Sequence, residues 1–193
     1  KTRDDLLDKA RELGLEIPYA DDVSPLLTTV KVAGRTLPNR MAVLPMEAAD
    51  AEADGSPTPI TARRYERYAA GGASLIWFEA TAVTPEGRSN PHQLMLNAST
   101  KAAFKRLVGR VRKAARAAGR DPLFILQMTH SGRFSRPEGI PQPVLTHRNP
   151  FLDGLLSLPG NYPLLDDGGI QAVQDRYLAA ARLAGEVGFD GVD

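Results

Sequence analysis

The chain lacks several features that would point to particular protein classes. None of its 193 residues is cysteine. Disulfides, thiolate metal sites, iron–sulfur clusters and a cysteine nucleophile are therefore excluded within this sequence. No apolar run approaches the roughly 18 residues of a membrane-spanning helix, and no signal-peptide pattern opens the chain. The expectation is a cytoplasmic protein without a membrane partner.

Neither sign of charge dominates. The 24 Lys and Arg residues nearly balance 23 Asp and Glu residues and leave a net charge of +1. The composition therefore gives no case for a nucleic-acid partner. One predicted helix is locally basic, but no aromatic side chains interleave there to stack bases, and a charged outer face explains it more simply. Its basic residues are Lys101, Lys105, Arg106, Arg110, Arg112, Lys113, Arg116 and Arg120.

Helical and strand patterns alternate along the chain. An amphipathic helix with Gly14 as a C-cap and then a hairpin are predicted first, at residues 3–13 and 28–37. Buried strands follow at residues 41–45, 74–83 and 122–128 and from residue 188. Helices are predicted between them at residues 61–68, 99–118 (capped by Ser99) and 170–187. The alternation predicts a parallel sheet of βαβ units, joined in one place by a long irregular segment at residues 131–167.

The strand at 122–128 carries the most informative pattern. Four consecutive apolar residues leave it no polar face, as expected of a strand covered on both sides. Gln127 then brings an amide to its carboxyl end, where α/β barrels assemble their active sites. A doubly wound domain is the competing architecture, but no glycine-rich phosphate loop follows the first strand.

Four segments together resemble the Old Yellow Enzyme family, which are FMN-dependent NAD(P)H oxidoreductases. Their order and spacing make the resemblance specific. The segments are Pro38–Met46; Asp54–Thr58 with Tyr65–Gly72; Leu75–Arg88; and Gln127–Arg133 with Ala179–Ala181 and Gly188–Asp193.

The resemblance implies an α/β fold, a TIM (β/α)8 barrel. This chain would hold roughly its first four strands plus an N-terminal helix and hairpin. The implied domains are a helical extension at residues 1–23 and, at residues 24–193, the N-terminal half of an FMN-binding barrel. About 250 residues are typical of a complete barrel.

The same resemblance implies a set of cofactor-binding residues. Pro45 and Met46 would contact the flavin through their backbone, Ala80 would lie beside the isoalloxazine, and Gln127 would hydrogen-bond the pyrimidine edge. Glu47 departs from the family pattern, which has a small residue near the reactive N5–O4 edge. A carboxylate there would disfavour an anionic reduced flavin unless it is protonated or turned away.

The implied activity is hydride transfer from NAD(P)H through N5 of FMN to the β-carbon of a small molecule with an activated double bond. The family's catalytic pair would follow Asp193, so no catalytic residue is expected within the chain, and the piece alone is expected to be inactive. Assembly of identical subunits is compatible with the sequence. The alternatives are a dienoyl-CoA-reductase-like flavin enzyme, in which a cysteine-rich segment after the barrel binds an iron–sulfur cluster, or a flavin-free barrel fragment acting as an interaction module.

Other polar residues have two interpretations each. His130 lines a site or makes a structural hydrogen bond, and Glu79 is a general base or the partner of a cation inside the barrel rim. The acidic residues Asp50, Glu52 and Asp54 lack the further ligands of a calcium loop. The remaining histidines have no partners at metal-ligand spacing, so no metal site is expected.

Overall fold

The computed structural model describes residues 2–193, which form two compact units. The first ends at Arg40 and the second is Met41–Asp193. The first contains helix α1 (Arg3–Glu12), a single 3-10 turn, and strands β1 (Val30–Val32) and β2 (Arg35–Leu37). The predicted domain boundary between residues 23 and 24 stays a prediction.

Local sequence explains the elements of the first unit. Thr2 and Asp5 cap α1 reciprocally, each accepting a hydrogen bond from the backbone of the other. The antiparallel hairpin turns on Ala33 and Gly34, with φ of 47° and 77°. Positive φ at both central residues is the geometry of a two-residue hairpin turn. Arg35, predicted in the turn, therefore already belongs to β2.

The second unit is built on a parallel sheet with the strand order β3-β4-β5-β6. Its strands are β3 (Ala42–Val43), β4 (Leu75–Ala82), β5 (Leu123–Thr129) and β6 (Gly191–Val192). Its helices are α2 (Pro59–Ala70), α3 (Lys101–Ala117), α4 (Pro150–Leu155) and α5 (Asp167–Val187). The predicted βαβ alternation is confirmed, whereas α4 and a 3-10 turn at Gly132–Phe134 lie within the segment predicted to be irregular.

One sheet face packs against the helices and forms the core. Phe78 stacks on Tyr65 of α2 with ring centroids 4.0 Å apart, and Phe189 meets its edge at 4.9 Å. Phe124 of β5 packs beside it. The opposite face is less covered, because Ile125 is half-buried. The expectation of a β5 strand buried on both faces is therefore correct on the helix side and, on the opposite face, at Leu123.

Two further sequence predictions need correction. Strand β3 is shorter than predicted and not buried: Ala42 is exposed and Leu44, beyond its end, is 64% exposed. It lies at the edge of the sheet and pairs with β4 alone. Helix α3 is capped at Thr100, not Ser99, because the Asn97 side chain accepts hydrogen bonds from both of their backbone N–H groups.

The basic residues of α3 contact acidic neighbours. Lys101 pairs with Glu186 of α5, and Arg110 Nε lies 2.8 Å from Glu66 Oε1 of α2. These pairs support the interpretation of a charged outer helix face. Across residues 2–193, no helix is both long and apolar enough to span a bilayer.

The aromatic stack gives a test of the core. Phe78→Ala removes the ring that joins β4 to α2, and we expect it to lower the free energy of unfolding by about 3–5 kcal/mol. Phe134→Ala is the matched control, because that ring is 59% exposed and its loss should cost within about 0.5 kcal/mol. Urea denaturation followed by circular dichroism measures both. Equal losses would contradict this assignment of the core.

Candidate functional site

Three strand ends meet at one edge of the sheet. The carboxyl end of β3 leads into Pro45, Met46 and Glu47, while Ala80 lies near the end of β4 and Gln127 near the end of β5. Since β4 lies between β3 and β5, these ends are neighbours. Parallel strands about 4.8 Å apart place the first and third ends about 10 Å from each other.

A bulge in β4 brings Ala80 opposite Gln127. Phe78 pairs with Leu126 and Thr81 pairs with Met128, so two residues of β4 face one residue of β5. The extra residue is Glu79, whose side chain turns to the helix side and is 1% exposed. Side-chain alternation then places Ala80 on the other face, beside Gln127.

Glu79 is the centre of a buried ionic network. Its carboxylate accepts hydrogen bonds from Ala48 N at 2.8 Å and the Tyr65 hydroxyl at 3.2 Å, and Arg64 Nη2 lies 2.8 Å away. Burial of Arg64 would lower its pKa, but the hydrogen bond and charge of Glu79 outweigh that effect and raise it above its ordinary value. Burial raises the pKa of Tyr65, because the charged form of a tyrosine is the anion. Glu79 is thus the partner of a cation, but this cation belongs to helix α2 and lies on the helix side of the sheet, not inside the barrel rim as predicted.

Arg64 also pairs with Asp50, one of the three acidic residues that were compared with a calcium loop. Arg64 Nη2 lies 3.0 Å from both carboxylate oxygens of Asp50, and Thr61 Oγ1 donates to Asp50 Oδ1 at 2.7 Å. Asp50 therefore anchors the loop after β3 to helix α2.

Glu47 is held by a loop that the sequence predictions missed. Its carboxylate accepts hydrogen bonds from Ser89 Oγ at 2.6 Å, Asn90 Nδ2 at 2.6 Å and Gln93 Nε2 at 3.3 Å. Gln93 Nε2 also donates to the Ala80 carbonyl at 3.1 Å. The structure thus joins two predicted site residues, Glu47 and Ala80, through Gln93. The signal available in the sequence is a run of short polar residues soon after a buried strand.

Arg88 shapes that loop from within. Its guanidinium donates to the carbonyl oxygens of Ala53, Pro91 and Gln93. Burial lowers the pKa of Arg88, an effect that the charge of Asp54 partly offsets. The loop is therefore tied to its surroundings by a buried cation and backbone carbonyls.

Gln127 is connected to the last strand. Its Nε2 donates to Asp193 Oδ2 at 3.1 Å, while the Asp193 backbone bonds to Leu126 and Met128. The amide that the sequence singled out is thus fixed at the sheet edge by Asp193, the residue after β6.

His130, three residues further on, is packed rather than exposed. Its Nδ1 accepts a hydrogen bond from Gly132 N at 3.1 Å, so the neutral ring carries its hydrogen on Nε2. That Nε2 is buried without a hydrogen-bond partner among residues 2–193. A Cβ at Gly87 would lie 2.6 Å from His130 Cδ2, so glycine is needed there. Burial lowers the pKa of His130, and the charge of Glu86 opposes this in part.

Comparison with known proteins shows the family of the chain. Residues 25–193 match the model of the NADH:flavin oxidoreductase / NADH oxidase family. The chain belongs to this family. It is 32% identical over 173 residues to an NADPH dehydrogenase of Listeria monocytogenes serotype 4a (strain HCC23), a match covering 89% of this chain and 48% of that protein.

A second relative and a solved structure support the same assignment. An NADPH dehydrogenase of Halalkalibacterium halodurans is 32% identical over 115 residues, which are 59% of this chain and 32% of the relative. The structure of an Old Yellow Enzyme homologue from Zymomonas mobilis superposes with a TM-score of 0.68 at 27% identity, covering 86% of this chain and 47% of that one. The fold is part of an α/β barrel, and the chain spans a third to a half of the lengths of these proteins.

The Glu79 network predicts a large difference between two glutamates. Glu79→Ala leaves Arg64 without its buried partner and Ala48 N without an acceptor, and we expect a loss of about 3–5 kcal/mol in unfolding free energy. Glu66→Ala removes the more exposed pair with Arg110 and should cost less than about 1 kcal/mol. Urea titration at neutral pH measures both, and a loss at Glu79 no greater than at Glu66 would contradict the network's importance.

His130 predicts a pH dependence of stability. Folding lowers the pKa of His130 below its unfolded value of about 6.5. Near and below that pH, the unfolded chain therefore binds a proton at His130 more readily than the folded chain does. Stability should therefore fall as the pH drops through about 6.5 toward the folded pKa. His130→Gln should weaken that fall, and His92→Gln in an exposed loop should keep it. Thermal melts at pH 7.5 to 5 check this, and identical profiles for both variants would refute it.

Proposed function

We propose that this chain forms one side of an FMN site in a NAD(P)H-dependent oxidoreductase. The observation that carries the proposal is the β4 bulge, which sets the small side chain of Ala80 against the amide of Gln127. Family membership supports the same cofactor class.

The residues at the three strand ends fit a flat heterocycle. Met46 N donates to Leu44 O at 2.9 Å, a tight turn at the half-buried Pro45 that leaves Met46 exposed. Ala80 leaves room for a ring to approach the backbone. Gln127 offers its amide oxygen and the NH2 hydrogen that is not bonded to Asp193, and the pyrimidine edge of a flavin presents both acceptors and a donor. The span of about 10 Å from β3 to β5 is wide enough for a fused ring system.

FMN, when bound, would supply hydride transfer through its ring, and the protein would supply binding, orientation and electrostatics. Pro45 and Met46 would support the ring through their backbone, and Gln127 would orient it. The donors around Glu47 direct its carboxylate toward Ser89 and Asn90. Because the carboxylate is turned toward these donors, Glu47 would disfavour an anionic reduced flavin less than a carboxylate pointing at the ring would.

For the whole protein, we propose that NADPH reduces the flavin and that a small molecule with an activated double bond receives the hydride. Two relatives named NADPH dehydrogenase support the choice of reductant. The groups that bind the substrate carbonyl are proposed to follow Asp193, and inactivity of residues 1–193 alone stays a prediction. An interaction module without flavin is the alternative that the next experiment tests.

Titration with FMN, followed by quenching of flavin fluorescence, tests the site. The whole wild-type protein, which would contain both sides of the site, should bind FMN, and Gln127→Leu should weaken binding up to about tenfold because a hydrogen bond to the ring is lost. Gln171→Leu, on the exposed surface of α5, is the matched control and should bind like wild type. A folded wild-type protein that binds no FMN would contradict the proposal and favour the flavin-free module.

A further inference from the structure

We propose that Glu47 is a positioning residue that fastens the loop after β4 to the end of β3. The loop residues Ser89–Gln93 are called the donor loop below. Through Gln93, the same contact fixes the Ala80 carbonyl relative to the chain after Pro45. The effect on FMN rests on the function proposed above, whereas the contact itself does not.

Hydrogen bonds within the donor loop orient its donors toward a carboxylate. Gln93 Oε1 accepts a hydrogen bond from Ser89 N at 2.7 Å, and Asn90 Oδ1 accepts one from His92 N at 2.8 Å. Both amides therefore turn their NH2 groups toward position 47. Ser89 Oγ accepts from Asn90 Nδ2 at 3.0 Å, which leaves the serine hydroxyl hydrogen to donate to Glu47.

Gln93 makes position 47 more than a surface contact. It is 1% exposed, and its amide has two hydrogens. One bonds to the Ala80 carbonyl and the other to Glu47 Oε2. Without an acceptor at position 47, the second hydrogen would lie buried and unsatisfied, which is costly. Glutamate reaches these donors with its two carboxylate oxygens. Threonine and alanine are shorter and lack a carboxylate, so neither could accept all of these hydrogen bonds at position 47.

The geometry also indicates that Glu47 affects flavin binding through the donor loop. Its carboxylate is engaged by three side chains of the donor loop, so its effect on a ring beside Ala80 is indirect. Loss of Glu47 should free the donor loop, and the Ala80 carbonyl should lose its fixed partner. Flavin binding should weaken as a consequence of this movement.

Hydrogen exchange of the FMN-free protein tests the contact. Glu47→Ala should raise exchange of the backbone amides at Ser89 and Gln93 roughly tenfold, as expected for the loss of hydrogen bonds to a charged group. Glu47→Gln keeps one acceptor oxygen for Ser89 and Asn90 and should rescue part of the protection. Glu52→Ala, an exposed glutamate of the neighbouring loop, should leave exchange unchanged. Unchanged exchange in Glu47→Ala overturns the proposal.

A double-mutant cycle distinguishes positioning from a separate contribution. Asn90→Ala should raise exchange at Gln93 in the wild-type background and add less in Glu47→Ala, because its bond to Glu47 is already gone while its bonds to Ser89 and His92 remain. Fully additive effects would show that the two residues act separately and would overturn the assignment.

The flavin titration provides the second readout. Glu47→Ala should weaken FMN binding about tenfold and Glu47→Gln less, in the same order as their effects on exchange. Weaker FMN binding in Glu47→Ala, with wild-type exchange of the donor loop, would mean that Glu47 acts on the ring directly and would overturn the positioning role. If wild type binds no FMN but exchange still responds to Glu47, the proposed function fails and the contact stands.

Discussion

The buried carboxylate of Glu79 is the interaction on which the site depends. An ionic group in a protein interior is tolerated when it is paired and hydrogen-bonded, and Glu79 has both Arg64 and Tyr65 on helix α2. Those partners hold Glu79 on the helix side of the sheet. The resulting bulge shifts the alternation of β4 by one residue and places Ala80 beside Gln127. A contact that stabilises the fold thus sets the side-chain pattern of the proposed flavin site.

The Glu79 network also attaches the chain after β3 to helix α2. Glu79 accepts a hydrogen bond from Ala48 N, and Asp50 shares Arg64 with it. The chain leaving β3 is therefore attached to α2 just beyond Glu47. The donor loop attaches it a second time through Glu47 itself. With both attachments, the edge strand β3, which has one neighbour in the sheet, still presents Pro45 and Met46 in a defined place.

The sequence predicted the elements whose signals are strong and local. The apolar run ending at Gln127 and the periodic apolar face of α3 both lie where expected, because burial against neighbouring elements enforces those patterns. The bulge could not be predicted, since Leu75–Ala82 has the composition of a regular strand and the position of Glu79 depends on Arg64 from another element. The donor loop was missed for a similar reason: short polar residues suit any surface turn. Glu47 was recognised as unusual, but its partners lie more than 40 residues away in the sequence.

Two carboxylates near the strand ends are balanced by different means, and this difference has a chemical consequence. Glu79 faces the Arg64 guanidinium, which it shares with Asp50, and these groups lie on the helix side of the sheet. Glu47 faces neutral donors, which stabilise its negative charge but do not cancel it. A ring beside Ala80 would therefore lie near the uncancelled negative charge of Glu47, whose oxygens are turned toward Ser89 and Asn90. Because Coulomb energy falls with distance and rises in a low-dielectric site, this orientation lessens the penalty for an electron-rich flavin without removing it. A glutamate at position 47 is thus compatible with flavin chemistry because the donor loop governs where its charge lies.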